Sequence, residues 1–248
     1  MKMAINPKRN FNPHPPNWAS DSLSEFIETA HQNIFATFVN FKPAFTRLQK
    51  IDEAFRKAID YLHNTREWFV VFFILKAHSA YLGGARLSTS GQTREAFMVL
   101  RGCLEAALYG FYFHRNPKKV EMWMRRHDSE KSKKAVRNEF VIGKMLALLE
   151  NEAPKAGKIM RELYERTIDY GAHPNEMGLT SNLRKSSQGS AIRFDLNYLA
   201  GDTISTRLCL KTNAQVGFCA LIVFKEVFRE RFDIMGLTDE ITKLGRGL

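Results

Sequence analysis

Hydrophobic residues recur every three to four positions along most of the chain, which is the spacing of a helix with one face in a core. The stretch Ser90–His114 departs from this one-sided pattern because it is apolar almost all the way round. A helix of that kind belongs in the centre of a helical bundle. Small side chains would let neighbouring helices approach it closely, namely Ala96, Val99, Cys103, Ala106, Ala107 and Gly110. We therefore expect the rest of the fold to be organised around this helix.

Helical spacing and capping signals predict further helices on both sides of it. The predicted helices cover approximately residues 21–39, 43–63, 65–87, 90–114, 117–126, 129–149, 154–168 and 203–228. Ser22 with Glu25 forms a capping box for the first helix, and Thr89 with Gln92 forms another for the central helix. The first helix has an apolar face that is predicted to be buried, made of Leu23, Phe26, Ile27, Ala30, Ile34 and Phe38.

One long stretch, residues 174–201, lacks helical spacing and is rich in Asn, Ser and Gly. Within it, apolar residues alternate with polar ones from Ile192 to Tyr198, which predicts one short strand, half of a hairpin. The predicted fold is therefore an all-α bundle of seven or eight helices with a small irregular or β insertion near 174–201. We expect residues 1–248 to form a single domain, with residues 1–19 as an irregular N-terminal arm.

Composition fits a soluble protein with one sizeable core. Hydrophobic residues make up 44% of the 248 residues, and 19 of them are Phe. The three cysteines, Cys103, Cys209 and Cys219, lie in apolar helical patterns, which is typical of reduced core residues. The longest apolar run is far shorter than the ~20 residues of a spanning helix. The N-terminal residues lack the apolar core of a signal peptide. We therefore expect a cytoplasmic protein without a membrane segment.

Charge is concentrated in one part of the chain. Of the net charge of +11, residues 115–137 contribute +6, with nine Lys or Arg against three acidic residues. Such a basic stripe suits the phosphates of RNA or another acidic partner, and the alternative is a solvated face on a basic protein. No run of aromatic residues is interleaved with these cations. The candidate nucleic-acid-binding residues are Lys118, Lys119, Arg125, Arg126, Lys133, Lys134 and Arg137.

Arg101 and Glu105 stand four residues apart in the central helix, where apolar residues would be expected. If they are buried, they must bind each other or a third polar group. They are either an internal structural ion pair or part of a polar pocket, because disturbed charges concentrate at functional sites. The other candidate members of this polar pocket are Tyr170 and Asn175.

Arg166, Tyr170 and His173 follow at i, i+4 and i+7, which would place them on one face of an unbroken helix. The Arg-x6-His spacing resembles the motif of HEPN domains, all-helical modules of which many cleave RNA as dimers. The resemblance implies a metal-independent ribonuclease that works as a homodimer. His173 would then handle the 2′-hydroxyl proton or the leaving group, and Arg166 would neutralise the scissile phosphate.

Two more Arg–His pairs have a spacing that the HEPN motif allows, Arg9 with His14 and Arg56 with His63. His173 could also be a turn residue that packs on the bundle. The order of polar residues along the whole chain is similar to uncharacterised bacterial helical families, which imply no activity. The alternative function is a non-enzymatic helical interaction protein whose basic stripe, residues 115–137, binds an acidic partner.

The sequence offers no sign of a cofactor or metal. Glu28 with His31 has the spacing of a di-metal bundle and Asp60 with His63 is a looser copy, but both pairs fall beside the apolar faces of their helices. No glycine-rich phosphate loop, G-x-S-x-G or H-E-x-x-H motif is present. We therefore expect neither a metal nor a cofactor.

Overall fold

The chain folds into an all-α bundle that carries one small hairpin, as its computed structural model shows. The structure describes residues 15–172, 176, 180, 183–188 and 191–248. The helices are α1 (Ser22–Asn40), α2 (Lys42–Tyr61), α3 (Trp68–Thr89), α4 (Thr93–Arg115), α5 (Lys119–Met124), α6 (Glu130–Glu139), α7 (Ile142–Glu152), α8 (Pro154–Thr167), α9 (Ile204–Val227), α10 (Arg229–Ile234) and α11 (Leu237–Leu244). A π-helical segment, Ile168–Ala172, continues α8. The predicted all-α class with a small β insertion is confirmed.

Helix α4 lies at the centre, as its apolar pattern predicts. It packs against α3, α9, α7 and α8, and most of its apolar side chains are fully buried. Its small residues do allow close approach: a Cβ added to Gly110 would lie 3.0 Å from the ring of Phe224 and 3.2 Å from Cβ of Phe73. The bundle is therefore built on contacts between α4 and its two long neighbours, α3 and α9.

The first helix differs most from its prediction. Asp21, outside the predicted capping box, caps α1 by accepting hydrogen bonds from the backbone N–H groups of Leu23 and Ser24. The predicted inward face is largely open, since Leu23 is 67% exposed and Phe38 is 49% exposed. The helix instead turns polar groups toward the bundle, and the Thr37 hydroxyl donates to the carbonyl oxygen of Thr89 at 2.8 Å. Helical spacing located the helix but not the face that the bundle covers.

Further predictions about individual helices need correction. Thr89 ends α3, and no side chain caps α4, so the Thr89–Gln92 capping box is wrong. The helix predicted over residues 129–149 is interrupted between Glu139 and Ile142, which gives α6 and α7. Short α5 has no fully buried residue. Of these elements, α5 and α6 have the least contact with the core, and little core contact reinforces either helix.

The predicted strand is present and has a partner. Strands β1 (Leu183–Gln188) and β2 (Ala191–Leu196) pair antiparallel, with Leu183 opposite Leu196. Phe194 and Ile192 of β2 are exposed. The hairpin therefore stands apart from the main core.

The interior contains the three cysteines as free, buried thiols, as predicted. Burial raises the pKa of Cys209 and of Cys219 to about 12, so both stay protonated at neutral pH. Three helices, α3, α4 and α9, are long and apolar enough to cross a membrane when judged by length and composition alone. Within the bundle, α4 and α9 use most of this apolar surface in the core, whereas α3 leaves more of it uncovered.

Candidate functional site

The predicted basic stripe runs from the end of α4 through α5 to α6, including the segments that join these helices. Ser129 caps α6 by accepting a hydrogen bond from the backbone N–H of Ser132, and Val136 anchors the helix to the core. The opposite side of α6 faces solvent. The cations of this segment whose side chains are exposed are Lys118, Arg125, Arg126, Lys134 and Arg137, whereas Lys119 and Lys133 are half-buried. We call these seven residues the basic surface.

Three members of the basic surface bind nearby carboxylates. Lys119 lies 2.8 Å from Glu139, and the Arg125 guanidinium lies 2.8 Å from Asp128. Lys133 forms a third pair on α6, 2.6 Å from Glu130. Hydrogen bonds from Lys119 and from the Tyr112 hydroxyl hold the pKa of Glu139 below its ordinary value. These pairs neutralise part of the charge that the sequence places here.

The other four members are unpaired. In the described part of the chain, no carboxylate lies within 4.0 Å of Lys118, Arg126, Lys134 or Arg137. Lys134 and Arg137 are three residues apart and therefore neighbours on the exposed side of α6. Four exposed cations without intramolecular partners can each accept an anionic group without first breaking an ion pair.

Arg101 and Glu105 form an ion pair, but they do not lie in the core. The Arg101 guanidinium donates to the Glu105 carboxylate at 2.9 Å, and the two side chains are 26% and 34% exposed. The expectation of burial is therefore wrong: the pair lies at the margin of α4. Apolar neighbours in the sequence did not show whether this side of α4 is buried or partly open to solvent.

A third residue completes this polar group. The Tyr164 hydroxyl accepts a hydrogen bond from Arg101 at 2.7 Å and donates one to Glu105 at 3.2 Å. The Arg101 guanidinium also lies over the Tyr164 ring, 5.0 Å from its centroid. Burial and the neighbouring Glu105 carboxylate raise the pKa of Tyr164 to about 12. The network ties α8 to α4 through the Tyr164 hydroxyl, which acts as both donor and acceptor.

Tyr170 does not join this network, although the sequence suggested a shared pocket. Its ring stacks on Phe97 of α4, with centroids 5.3 Å apart. The Gly171 backbone next to it presses against α4, because an added Cβ would lie 2.7 Å from the Arg94 carbonyl oxygen. Tyr170 therefore serves the packing of the π-helical segment on α4.

Arg166, the candidate catalytic arginine, is occupied by bonds within the bundle. Its guanidinium donates to the side-chain oxygen of Gln215 at 2.6 Å and to Glu162 at 2.8 Å. A longer contact of 3.4 Å reaches the hydroxyl of Thr212, which is fully buried. The other two residues assigned to this region, His173 and Asn175, lie outside the described residues.

Sequence reasoning missed two groups of functional interest. Buried His78 of α3 lies 2.6 Å from Asp52 of α2, which also accepts a hydrogen bond from Arg56 at 2.8 Å. The second group is a set of aromatic side chains at the start of α3, close to the basic surface. The sequence did contain a signal for the pair of His78 and Asp52, because the acidic Asp52 stands next to Ile51 on the apolar side of α2.

No family model, curated protein or solved structure matches the chain. Function therefore has to rest on the chemistry of the described residues. Among those residues, no group of three or more His, Cys, Asp or Glu is arranged to hold a metal ion.

Proposed function

We propose that this protein binds RNA through the phosphates of its backbone, using the basic surface on α5 and α6. The observation that carries the proposal is the set of exposed, unpaired cations Lys118, Arg126, Lys134 and Arg137. Phosphate contacts release counterions and supply most of the affinity of sequence-independent binding. Arginine and lysine together suit this task because both donate several hydrogen bonds to phosphate oxygens.

The order of these cations along α6 and the segments before it supports a linear polyanion as the partner. Lys134 and Arg137 occupy successive turns of one exposed helix side, and Arg126 and Lys118 continue the charge onto the preceding segment. An array of this kind can meet successive phosphates along a strand. A single small anion would use only one or two of the four groups.

The proposal is restricted to binding and does not extend to cleavage. A ribonuclease of the kind suggested by the Arg-x6-His motif needs Arg166 free to meet the scissile phosphate. Here Gln215 and Glu162 already accept its strongest hydrogen bonds. RNA cleavage with His173 as the general acid or base stays a prediction from the resemblance.

The experiment is a fluorescence anisotropy titration of a labelled 20-nucleotide RNA at low salt. Lys134→Glu combined with Arg137→Glu should weaken binding about tenfold or more, with little dependence on RNA sequence. The matched control is Lys155→Glu combined with Lys158→Glu, two exposed lysines with the same spacing on α8. Both double variants lower the net charge by four. A difference in RNA affinity between them therefore reports the position of the reversed charges and not the overall charge.

A loss of affinity confined to the α6 variant supports the proposal. Equal losses in both variants would mean that only the overall charge matters. No binding by the parent protein at low salt would rule the proposal out.

A further inference from the structure

Two aromatic side chains at the start of α3 are exposed to solvent, although their neighbours in the helix are core residues. Trp68 is 64% exposed and Phe72 is 57% exposed. They stand on successive turns, and their rings meet edge to face with centroids 6.1 Å apart. We call these two residues the aromatic ridge. Adjacent exposed aromatic rings form a contiguous apolar patch, and such patches can serve as binding surfaces.

The aromatic ridge is fixed to the core. The Trp68 ring meets the Phe69 ring edge to face at 5.8 Å, and Phe69 meets buried Phe113 of α4 at 5.3 Å. Phe69 also contacts the Trp123 ring of α5 at 6.2 Å. The core therefore holds Phe69, the ring that the indole contacts, and part of the stacking surface is formed before a ligand binds.

A cavity opens between the start of α3 and the start of α5, and Trp68 is the member of the aromatic ridge that lines it. Its volume is about 470 Å³, which falls in the usual range for ligand pockets of roughly 300–1,000 Å³. Its apolar lining comes from the start of α3, the end of α4, the segment before α5 and the start of α5: Trp68, Phe69, Val70, Phe113, Pro117 and Val120. Arg66, Glu67 and His114 add polar groups to the lining.

One cation lines the cavity, and another directly follows a lining residue in the chain. Arg66 is exposed on the α3 side, and no described carboxylate lies within 4.0 Å of its guanidinium. Lys118, a member of the basic surface, directly follows the lining residue Pro117. Aromatic surface between cations is the arrangement that binds single-stranded nucleic acids, where bases stack and phosphates are neutralised. The sequence could not reveal it, because about fifty residues separate Trp68 from Lys118.

We infer that this cavity and the aromatic ridge hold an unstacked base of single-stranded RNA, stacked on Trp68, with the flanking phosphates bound by Arg66 and Lys118. The inference rests on the proposed binding of RNA by the basic surface and adds the preference for single strands. A duplex would not satisfy the site, because its bases are paired and stacked inside the helix. A lipid surface fits less well, since the Glu67 carboxylate directly precedes Trp68 and would be repelled by anionic headgroups.

The test measures the affinity of the full chain for a labelled 20-nucleotide oligouridine and for a labelled 20-base-pair RNA duplex, by anisotropy. Trp68→Ala should weaken oligouridine binding about tenfold and leave duplex binding unchanged, because stacking on an aromatic side chain contributes mainly to single-strand affinity. Phe72→Ala should also weaken oligouridine binding. The matched control is Trp18→Ala, which removes an exposed tryptophan before α1.

The outcomes separate the inference from the proposal on which it rests. If Trp68→Ala and Phe72→Ala leave oligouridine binding unchanged while the Lys134 and Arg137 reversal weakens it, the base site is wrong and phosphate binding stands. If the parent binds neither RNA, both are wrong. If Trp68→Ala instead abolishes binding to vesicles of phosphatidylcholine with phosphatidylserine and spares RNA, the aromatic ridge is a membrane contact and the inference is overturned.

Discussion

The Arg166 guanidinium on α8 donates a hydrogen bond of 2.6 Å to the side-chain oxygen of Gln215 on α9. With Thr212 and Glu162 also in contact, the side chain joins the last long helix to its neighbour. We therefore expect Arg166→Ala to lower the free energy of unfolding by about 1–2 kcal/mol, because half-buried Gln215 and buried Thr212 lose a hydrogen-bond partner. Arg166→Lys should recover only part of the lost free energy of unfolding, because one ammonium group cannot reach all of these acceptors. Urea melts that show no change would contradict a structural role.

The network of Arg101, Glu105 and Tyr164 leads to a second prediction. Because the ion pair is partly open to water, Glu105→Ala should cost about 1 kcal/mol, well below the ~3–5 kcal/mol expected when a buried pair is broken. Tyr164 still accepts a hydrogen bond from Arg101 in that variant. The control is Glu121→Ala, which removes an exposed partner of Arg125 and should leave the urea melt unchanged. A loss of the size expected for a buried pair would show that the network is far better shielded than this geometry implies.

The pairing of Asp52 with His78 predicts a dependence of stability on pH. Burial acts to raise the pKa of Asp52, but hydrogen bonds from His78 and Arg56 together lower it by more, so the net pKa lies below 3.8. A depressed carboxyl pKa contributes stability above the unfolded value, and that contribution is lost as the pH falls through the native value. Asp52→Asn should therefore destabilise the protein most at neutral pH. The difference in the free energy of unfolding between variant and parent should become smaller as the pH falls to about 3.

Urea melts of both proteins at these two pH values test this prediction. Asp60→Asn serves as the control, because Asp60 lies exposed on the same helix. A difference between parent and Asp52→Asn that is constant with pH would mean that the carboxylate is not stabilised in its charged form.

Periodicity predicted the helices well where packing is dense. A stretch that is apolar all round, such as α4, has no alternative to the core, so both its helical state and its central place followed from the sequence. The one-sided pattern of α1 was less informative. Its apolar residues, such as Leu23 and Phe38, lie on one side of the helix. The side that contacts the bundle is a different one, which includes Thr37. Which face is covered depends on neighbours that local spacing does not identify.

The candidate site was predictable only in part. The positive charge of α5 and α6 is visible in the sequence, but the pairing that leaves Lys134 and Arg137 free depends on helix geometry and on the position of carboxylates such as Glu139. The prediction that Arg101 is buried was wrong, because sequence neighbours cannot show whether one side of a helix is open to solvent. Trp68 belongs to an apolar run and is indistinguishable there from the buried residues that follow it.

If the basic surface binds RNA phosphates, the affinity for RNA must depend steeply on salt concentration. For single strands, the logarithm of the association constant falls against the logarithm of salt concentration with a slope of about −0.7 per neutralised phosphate. Four unpaired cations predict a slope of about −3 for the parent protein and about −1.5 after reversal of Lys134 and Arg137. The Lys155 and Lys158 reversal should retain the parent slope. The same slope in the parent and the α6 variant, or binding insensitive to salt, would contradict the account.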